Sequence, residues 1–453
     1  MKHWGKIVPF QVEFYLAASL AFSTVIATAG EVTIPAPQGS ASPGAAAGAK
    51  VLKLEEAVVI AVDNHPRIRA AKEKVGAQNA VLGQQMSAYY PTVSLSNSYR
   101  TTTSSGSTTT SQEAFDLFSS RANFDMTLYN FGKREGSVQS ARETLDAVGH
   151  TYRTTVEEVV LAVKQAYFSY LQARALVRVR EETVKGRELI VRQARGFFEV
   201  GTRPKIDVAR AESNLYNAQA DLIAAENGVK IAWVTLKNAM GVKDLPEQAL
   251  AEELAITKVP ILLERAREIA FAERPELKDF AAQKKAQDQK IAAARREHLP
   301  DIIFHADYGR QNSSRDGNTF PLQNQWTVQL NLNIPIFNGF NTTNKVEESL
   351  HNYYSVKAQE EDKRQQVALE VEQSYLKLVE AQERIKATQA AERAATENLD
   401  LANGRYQVGV GSIIEVTDAQ TLHTDAQTNH IRSLYDYKIA EAQLIRAMGS
   451  PRP

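Results

Sequence analysis

The sequence Tyr-Gln-Val-Gly-Val-Gly-Ser-Ile-Ile-Glu-Val-Thr-Asp-Ala-Gln, residues 406–420, decides the fold because it occurs twice. Residues 198–212 have a related sequence, Phe-Glu-Val-Gly-Thr-Arg-Pro-Lys-Ile-Asp-Val-Ala-Arg-Ala-Glu, with five identities. Each copy lies between two long segments with a helical pattern. A short break that contains glycine between two long helices is typical of a helical hairpin. The sequence therefore predicts two helical hairpin tips, at residues 198–206 and 406–414.

Further landmarks repeat with nearly the same spacing. The tip glycines Gly201 and Gly409 lie 208 residues apart, and the tripeptide Ala239-Met240-Gly241 recurs at the same distance. Two prolines, Pro66 and Pro91, recur 209 residues later. This period is far longer than that of a solenoid repeat, so we predict a single duplication. The predicted divisions are a first repeat at 51–241, a linker at 242–262, a second repeat at 263–449 and a tail at 450–453.

The N-terminal residues predict export. A short basic region at residues 2–6 precedes an apolar run at 14–26 and the small residues Ala27-Thr28-Ala29, which is the pattern of a secretory signal peptide at 1–29. Residues 30–50 are rich in Ala, Gly, Ser and Pro, and we expect a flexible exported arm. The chain has no cysteine, so we expect neither a disulfide framework nor a lipid anchor. No other window approaches the ~18 apolar residues of a membrane-spanning helix.

Long helices dominate both repeats. Residues 344–403 contain neither glycine nor proline, which predicts a helix of ~60 residues and ~90 Å at 1.5 Å per residue. Its counterpart spans 133–195, and each is followed by a tip and a return helix. A helical pattern of this length with a continued apolar stripe is typical of a coiled coil. At the start of each repeat we expect two shorter helices, broken at Pro66 or Pro275.

Each repeat also contains two segments that alternate in polarity, at about 91–103 and 119–130 and at 301–310 and 325–336. In the last of these, Trp326, Val328 and Leu330 share one face and polar residues occupy the other. One interpretation is a half-buried sheet packed on helices. The other is the wall of a transmembrane β-barrel, whose strands alternate in this way over ~10 residues. A polar face suited to a wet lumen and the signal peptide favour the barrel.

Four strands cannot close a barrel, because lipid does not tolerate the unpaired backbone groups at their two edges. Closure needs at least eight strands, which two protomers would supply, whereas three would supply 12. A barrel of about eight strands is filled by side chains and a larger one leaves a channel. A conduit therefore favours three protomers, and the long helices must then project from the bilayer as a helical tube.

The sequence resembles a known family, the outer-membrane efflux proteins, which are TolC-like trimeric channel-tunnels. Its landmarks are Arg274-Pro275-Glu276-Leu277, residues 128–132 and 334–339, the Val-Gly tips and the Ala-Met-Gly endings, in one order over residues 51–449. The resemblance implies a mainly α fold with a membrane β-barrel part, in a homotrimer. Its 12-stranded barrel in outer-membrane lipid continues as a periplasmic α-helical coiled-coil barrel.

The same resemblance implies a function. The protein would be the passive exit duct of a tripartite efflux or type I secretion system, gated at its periplasmic helical tips. Its partners would be a periplasmic adaptor and an inner-membrane pump or exporter. Adaptor docking would fall on the tips, at Val200, Gly201, Val408 and Gly409.

The resemblance also implies a gate network that holds the tips closed. Asp207 and Tyr406 match an Asp and a Tyr of that network, whereas Gly411 stands where the family has an Arg. The charged part of the network is therefore missing at this position. Arg405 or Arg203 could substitute for it, and the sequence leaves both open.

Two acidic residues match the constriction of the family. Glu415 and Asp418 are three residues apart, so both carboxylates lie on one helix face. Converging from three protomers, they would attract cations as an acidic ring. The alternative is an ordinary acidic first turn of a helix, which the helix dipole favours.

Other classes of function are not indicated. Lys+Arg 53 balance Asp+Glu 53, so the basic surplus of a nucleic-acid-binding protein is missing. The sequence has no phosphate-binding loop and no residues with metal-ligand spacing, and we expect neither an enzyme nor a cofactor or metal site. The long helices alone leave one alternative open, a soluble periplasmic coiled-coil scaffold or adaptor protein. The exported cargo, whether drugs, metals or proteins, is also open.

Overall fold

The computed structural model describes residues 51–104, 113–252, 254, 256, 261–314 and 321–449. The predicted signal peptide, exported arm and C-terminal tail lie outside these residues. The described residues form eight α-helices and four β-strands and are mainly helical. In chain order these are α1 Leu54–Asn64, α2 Pro66–Met86, β1 Thr92–Ser104, β2 Glu113–Tyr129, α3 Lys133–Glu199, α4 Lys205–Met240, α5 Leu263–Glu273, α6 Pro275–Arg296, β3 Asp301–Ser314, β4 Gln323–Asn333, α7 Asn341–Gln407 and α8 Ile413–Ala447.

The two halves of the chain repeat one order of elements, two short helices, two strands, a long helix and a return helix. The long helices α3 and α7 contain 67 residues each, which corresponds to ~100 Å. α7 extends beyond its predicted end because it continues through Gly404. One glycine inside a helix costs only about 1 kcal/mol relative to alanine, which the packing of a long helix offsets. Among the described helices, none is both long enough and apolar enough to cross a membrane.

Two hydrophobic clusters occupy corresponding places in the two halves. The first packs α1, α3 and α4 together, and the second packs α5, α7 and α8 together. Their buried members correspond in pairs at offsets of 208 or 209 residues: Ala57 and Ala266, Ala61 and Ala270, Val159 and Val367, Val163 and Val371, Leu236 and Leu444, Met240 and Met448. The duplication seen in the sequence therefore extends to the cores.

Each return helix ends on a glycine for a steric reason. Gly241 and Gly449 both have φ +70°, a left-handed conformation that other residues adopt only with strain. A Cβ at Gly241 would lie 2.7 Å from Cα of His65, and one at Gly449 would lie 2.8 Å from Cα of Arg274. The end of each return helix thus packs directly on the break between the first two helices of its repeat.

Arg274 is also the centre of a buried ion-pair network. Its side chain is 1% exposed and its Nη2 donates to Glu370 at 2.6 Å. Arg446 donates to Glu370 at 2.7 Å and to Glu276 at 2.8 Å. Glu157 of α3 lies beside this network, and its buried Oε2 has no hydrogen-bond partner within the described part of the chain. Burial, and then the charge of Glu276, raise the pKa of Glu157 to about 7.

The four strands form one antiparallel sheet in the order β1-β2-β3-β4, so a strand of the first repeat pairs with a strand of the second. The register aligns the two faces that the alternation predicts. One row across all four strands is apolar and consists of Val93, Phe124, Ala306 and Val328. The next row is polar and consists of Thr92, Asp125, His305 and Gln329.

The strands differ from the predicted bounds at their ends. β2 begins at Glu113, earlier than predicted, and pairs with β1 as far as Ser104. Backbone hydrogen bonds form this pairing, so a Ser- and Thr-rich sequence does not prevent it. β4 ends at Asn333, two residues before Pro335, which has no N–H to donate to a sheet.

Candidate functional site

The two tips are the same turn built twice. In the second tip the N–H of Val410 donates to the carbonyl of Arg405 at 3.1 Å, and the N–H of Gly409 donates to the carbonyl of Tyr406 at 3.1 Å. This is the Schellman motif that commonly ends helices, and the first tip has the equivalent pair of bonds. Gly201 and Gly409 take the left-handed position, with φ +74° and +79°.

A third hydrophobic cluster joins the two helical hairpins just below the tips. It contains residues from four helices, namely Ile190, Val191 and Ala194 of α3, Ala211 of α4, Ala402 and Tyr406 of α7, and Ile413, Val416 and Ala419 of α8. Because all four helices contribute, the tips of one protomer share one core. A change in the separation of the hairpins must therefore disturb this core.

Tyr406 is the largest side chain in that cluster and is completely buried. Its ring meets the ring of Phe197 edge-on, with centroids 5.5 Å apart. Its hydroxyl has no hydrogen-bond partner among the described residues. Burial raises the pKa of Tyr406, the Asp207 carboxylate raises it further, and the Arg203 guanidinium opposes them. The structure thus brings the predicted gate residues Asp207 and Tyr406 close together, without a hydrogen bond from the tyrosine.

Arg203 links the first tip to the second. Its Nη2 donates to the carbonyl of Gly409 at 3.0 Å and to the carbonyl of Gly411 at 2.6 Å. Its guanidinium carbon lies 5.8 Å from the ring centroid of Tyr406. Hydrogen bonds from a charged donor are stronger than neutral ones. Of the two arginines that the sequence left open, Arg203 is the one that crosses between the tips.

Arg405 has a different partner. Its Nε lies 3.2 Å from Oε2 of Glu415, and both side chains are about half exposed. Both residues belong to the second hairpin, so this ion pair does not connect the two tips. Ser412 caps α8 by accepting from the N–H of Glu415 at 3.2 Å. The acidic first turn expected as an alternative is therefore present at Glu415, together with a basic neighbour.

An arginine that the sequence did not reveal, Arg187, lies near Asp418. Arg187 of α3 is 8% exposed, and its Nη2 donates to Oγ1 of Thr421 at 3.0 Å and to the carbonyl of Thr417 at 3.4 Å. Burial lowers the pKa of Arg187, and the Asp418 carboxylate opposes this shift. Arg187 lies within α3, outside the repeated tip sequence, so no motif in the sequence marks it.

The four residues predicted to dock an adaptor lie at the surface of the tips. Val200 is 72% exposed and Val408 is 74% exposed, and each precedes its left-handed glycine. Ile206 and Val410 add further exposed apolar surface. Apolar side chains at the end of a helical hairpin are free to contact another protein.

Two long helical hairpins, each continued by an antiparallel pair of strands, define the protomer of an outer-membrane channel-tunnel. The outer membrane efflux protein family matches the chain twice, over residues 57–242 and 266–450. The chain belongs to this family. The two matches fall on the two repeats, and the protein is an outer-membrane efflux channel.

Curated relatives cover most of the chain. The outer membrane protein TolC of Vibrio cholerae is 26% identical over 407 residues, which are 86% of this chain and 89% of the relative. The outer membrane efflux protein BepC of Brucella suis is 25% identical over 411 residues, 87% of this chain and 85% of the relative. These names describe outer-membrane and efflux proteins rather than enzymes.

Solved structures have the same fold. The crystal structure of CusC superimposes with a TM-score of 0.77 at 20% identity, covering 88% of this chain and 92% of that one. The outer membrane channel CmeC of Campylobacter jejuni has a TM-score of 0.75 at 18% identity, covering 87% of this chain and 85% of that one. At these identities the likeness concerns the fold alone.

Proposed function

We propose that three copies of this chain form a passive exit duct, with a 12-stranded β-barrel in the outer membrane and a helical tube in the periplasm. The helical tips gate the duct and dock a periplasmic adaptor, which connects it to an inner-membrane pump or exporter. The soluble scaffold that the long helices left open is not favoured, because the relatives are outer-membrane proteins.

The observation that carries this proposal is the exposed apolar face of β4. Trp326 is 70% exposed, Leu330 67% and Leu332 60%, so within the described part of the chain this face is largely uncovered. β1 and β4 are the edges of the sheet, and their outer backbone groups need partners in lipid. Pairing of β1 with β4 of the next protomer supplies those partners, and lipid covers the apolar face.

Aromatic residues mark the end of the sheet from which the long helices start. Tyr129 ends β2 and Phe131 follows it, with ring centroids 4.7 Å apart. Phe337 and Phe340 follow β4, with ring centroids 5.5 Å apart, and both are exposed. Aromatic girdles at the membrane surface are typical of outer-membrane barrels. These residues support a membrane boundary between the strands and the helices.

Fluorescence quenching by brominated lipid tests this proposal. The chain has three tryptophans, of which Trp4 lies in the predicted signal peptide, Trp233 is buried at 5% exposure and Trp326 is exposed on β4. In a Trp233→Phe background, we expect strong quenching of Trp326 in liposomes of brominated phospholipid. Quenching should be absent in the matched Trp326→Phe background, where only Trp233 emits.

The opposite result would reject the barrel. If Trp326 is quenched no more than Trp233, the apolar strand face does not contact lipid. Native mass spectrometry in detergent gives an independent check, because the proposal requires a trimer. A monomer or dimer that remains soluble without detergent would support the scaffold instead.

The gate follows from the contacts at the tips. Arg203 connects the two hairpins through Gly409 and Gly411, and Tyr406 fills the core below them. Opening the tips requires these contacts to be lost, and Asp207 and Arg203 adjust the charge around the buried tyrosine. We therefore assign the closed state to the Arg203 link and the Tyr406 packing.

A further inference from the structure

Both acidic residues of the predicted constriction have an arginine of the same protomer beside them. The Glu415 carboxylate lies 3.2 Å from Nε of Arg405, on the adjacent helix of the same hairpin. An exposed pair of this kind adds little stability. It does place a positive charge within hydrogen-bond distance of the carboxylate, which reduces the field that the carboxylate produces at a distance.

Arg187 lies near enough to Asp418 for the carboxylate to oppose the lowering of its pKa, although among the described residues the two side chains form no ion pair. Its guanidinium is fixed against α8 by Thr417 and Thr421, which flank Asp418 along that helix. Its Nη1 is buried and has no partner among the described residues, so the positive charge is not used by another carboxylate. Since α3 carries this arginine and α8 carries Asp418, the pair crosses between the two hairpins.

Two other arginines near the tips are engaged elsewhere. Arg195 forms an ion pair with Glu212 at 2.6 Å, and Arg203 donates to the two tip carbonyls. Arg405 forms an ion pair with Glu415, and Arg187 is bound to the two threonines that flank Asp418, so each carboxylate has a guanidinium group of the same protomer near it.

We propose that the constriction of this duct is charge-compensated, with Arg405 and Arg187 offsetting Glu415 and Asp418 so that anionic and neutral amphiphilic cargo passes as readily as cationic cargo. This inference rests on the proposed function, since it requires the tips to form the narrowest part of the pore. A bare acidic ring would concentrate cations and repel anions. In a compensated ring the opposite charges of each pair largely cancel at a distance, and salt screens what remains over about one Debye length, ~8 Å at physiological salt.

Ion selectivity in planar bilayers tests the proposal. Channels of purified full-length protein would be recorded under a potassium chloride gradient, and the reversal potential gives the ratio of potassium to chloride permeability. We expect a ratio near unity for the wild type. Arg405→Gln should raise the ratio severalfold, and the double variant Glu415→Gln with Asp418→Asn should lower it severalfold.

Arg265→Gln is the matched control. Arg265 forms an equally exposed ion pair with Glu268 within α5, far along the chain from the tips, and its loss should leave the ratio unchanged. Arg187 is buried, so its substitution could unfold the tips, and the test therefore relies on the exposed Arg405. Unchanged thermal stability of Arg405→Gln would show that the effect is one of charge.

Two outcomes would overturn the proposal and differ in what else they reject. A cation-selective wild type, with a ratio that falls in the double variant and stays constant in Arg405→Gln, would mean a bare acidic ring in a valid duct. A ratio that changes in neither variant, in a protein that still conducts, would mean that the tips are not the constriction. The second outcome would reject the proposed gate as well.

Discussion

Arg203 donates a 2.6 Å hydrogen bond to the carbonyl of Gly411. Gly411 is the residue of the second repeat that corresponds to Arg203, 208 residues later in the chain. The resemblance to the family implies an arginine at position 411, and this chain carries one at the equivalent place in the other repeat. The link uses backbone acceptors rather than carboxylates. It does not titrate on the acceptor side, and no substitution of an acceptor side chain can remove it.

Arg203→Ala should loosen the closed tips. The loss of two hydrogen bonds from a charged donor at a half-buried position should cost the closed state about 1.4 kcal/mol, which raises the population of open channels about tenfold. Single-channel recording measures this as a higher open probability or conductance. Arg195→Ala is the matched control, because its ion pair with Glu212 lies within one hairpin. Equal opening in both variants would contradict the link between the tips.

Tyr406→Phe should leave the gate intact. The tyrosine hydroxyl is buried and has no hydrogen-bond partner among the residues that the structure describes, so its removal relieves an unsatisfied group while the ring still fills the core. We expect a Tm equal to or above that of the wild type and an unchanged conductance. Tyr406→Ala should cost about 3–5 kcal/mol through the cavity it leaves. If Tyr406→Phe opened the channel, the hydroxyl would have a partner in the trimer.

Gly411→Arg should not restore the function of the gate arginine that the resemblance implies at this position. A Cβ at this position would lie 3.0 Å from the backbone of Arg405 and from N of Tyr406, so any side chain must displace the end of α7. We expect this variant to lower the Tm and to disturb the Arg203 bond to residue 411. Gly411→Ala separates the two effects, because it adds the Cβ without the charge. A lower conductance in Gly411→Arg alone would show that the added guanidinium closes the tips after all.

Glu157→Gln should change how stability depends on pH. The pKa of Glu157 is raised to about 7 in the folded protein, from its ordinary value of 4.5, so the folded state holds a proton that the unfolded state releases. The stability that this proton provides is present below about pH 4.5 and is lost as the pH rises through about 7. Glu157→Gln should therefore raise the Tm at pH 8, by the equivalent of about 1–3 kcal/mol, and change it little at pH 4.5.

Thermal unfolding at the two pH values measures this effect, and a neighbouring residue provides the control. Glu158 is an exposed partner of Arg67 at 2.8 Å, so Glu158→Gln should shift the Tm little at either pH. If Glu157→Gln instead lowered the Tm by the same amount at both pH values, the carboxylate would be charged and paired in the folded protein.

The repeated landmarks predicted most of the fold because each has a local physical cause. Pro66 and Pro275 begin helices, and the tip glycines Gly201 and Gly409 take left-handed turns. The alternation along β4 predicted the two faces of the sheet, because side chains on a strand must alternate. The ends of the strands were less predictable, since backbone pairing continues wherever a partner strand is available.

The site was predictable only in part, because its contacts join residues that are distant in the chain. The sequence named Arg203 as one of two alternatives, and only the relative placement of the tips shows that it reaches Gly411. Arg187 has no neighbouring motif and became visible only through the packing of α3 on α8. Charges that offset one another across helices cannot be read from the spacing of either helix alone.

The order of the strands has a genetic consequence. With β2 and β3 joined inside each protomer, the proposed trimer is closed by a single kind of seam, β1 against β4, repeated around the ring. One subunit with a damaged edge strand therefore opens the ring for its two healthy neighbours. In a cell that expresses both alleles, most trimers would contain at least one such subunit and could not close. The mutation would therefore behave as dominant.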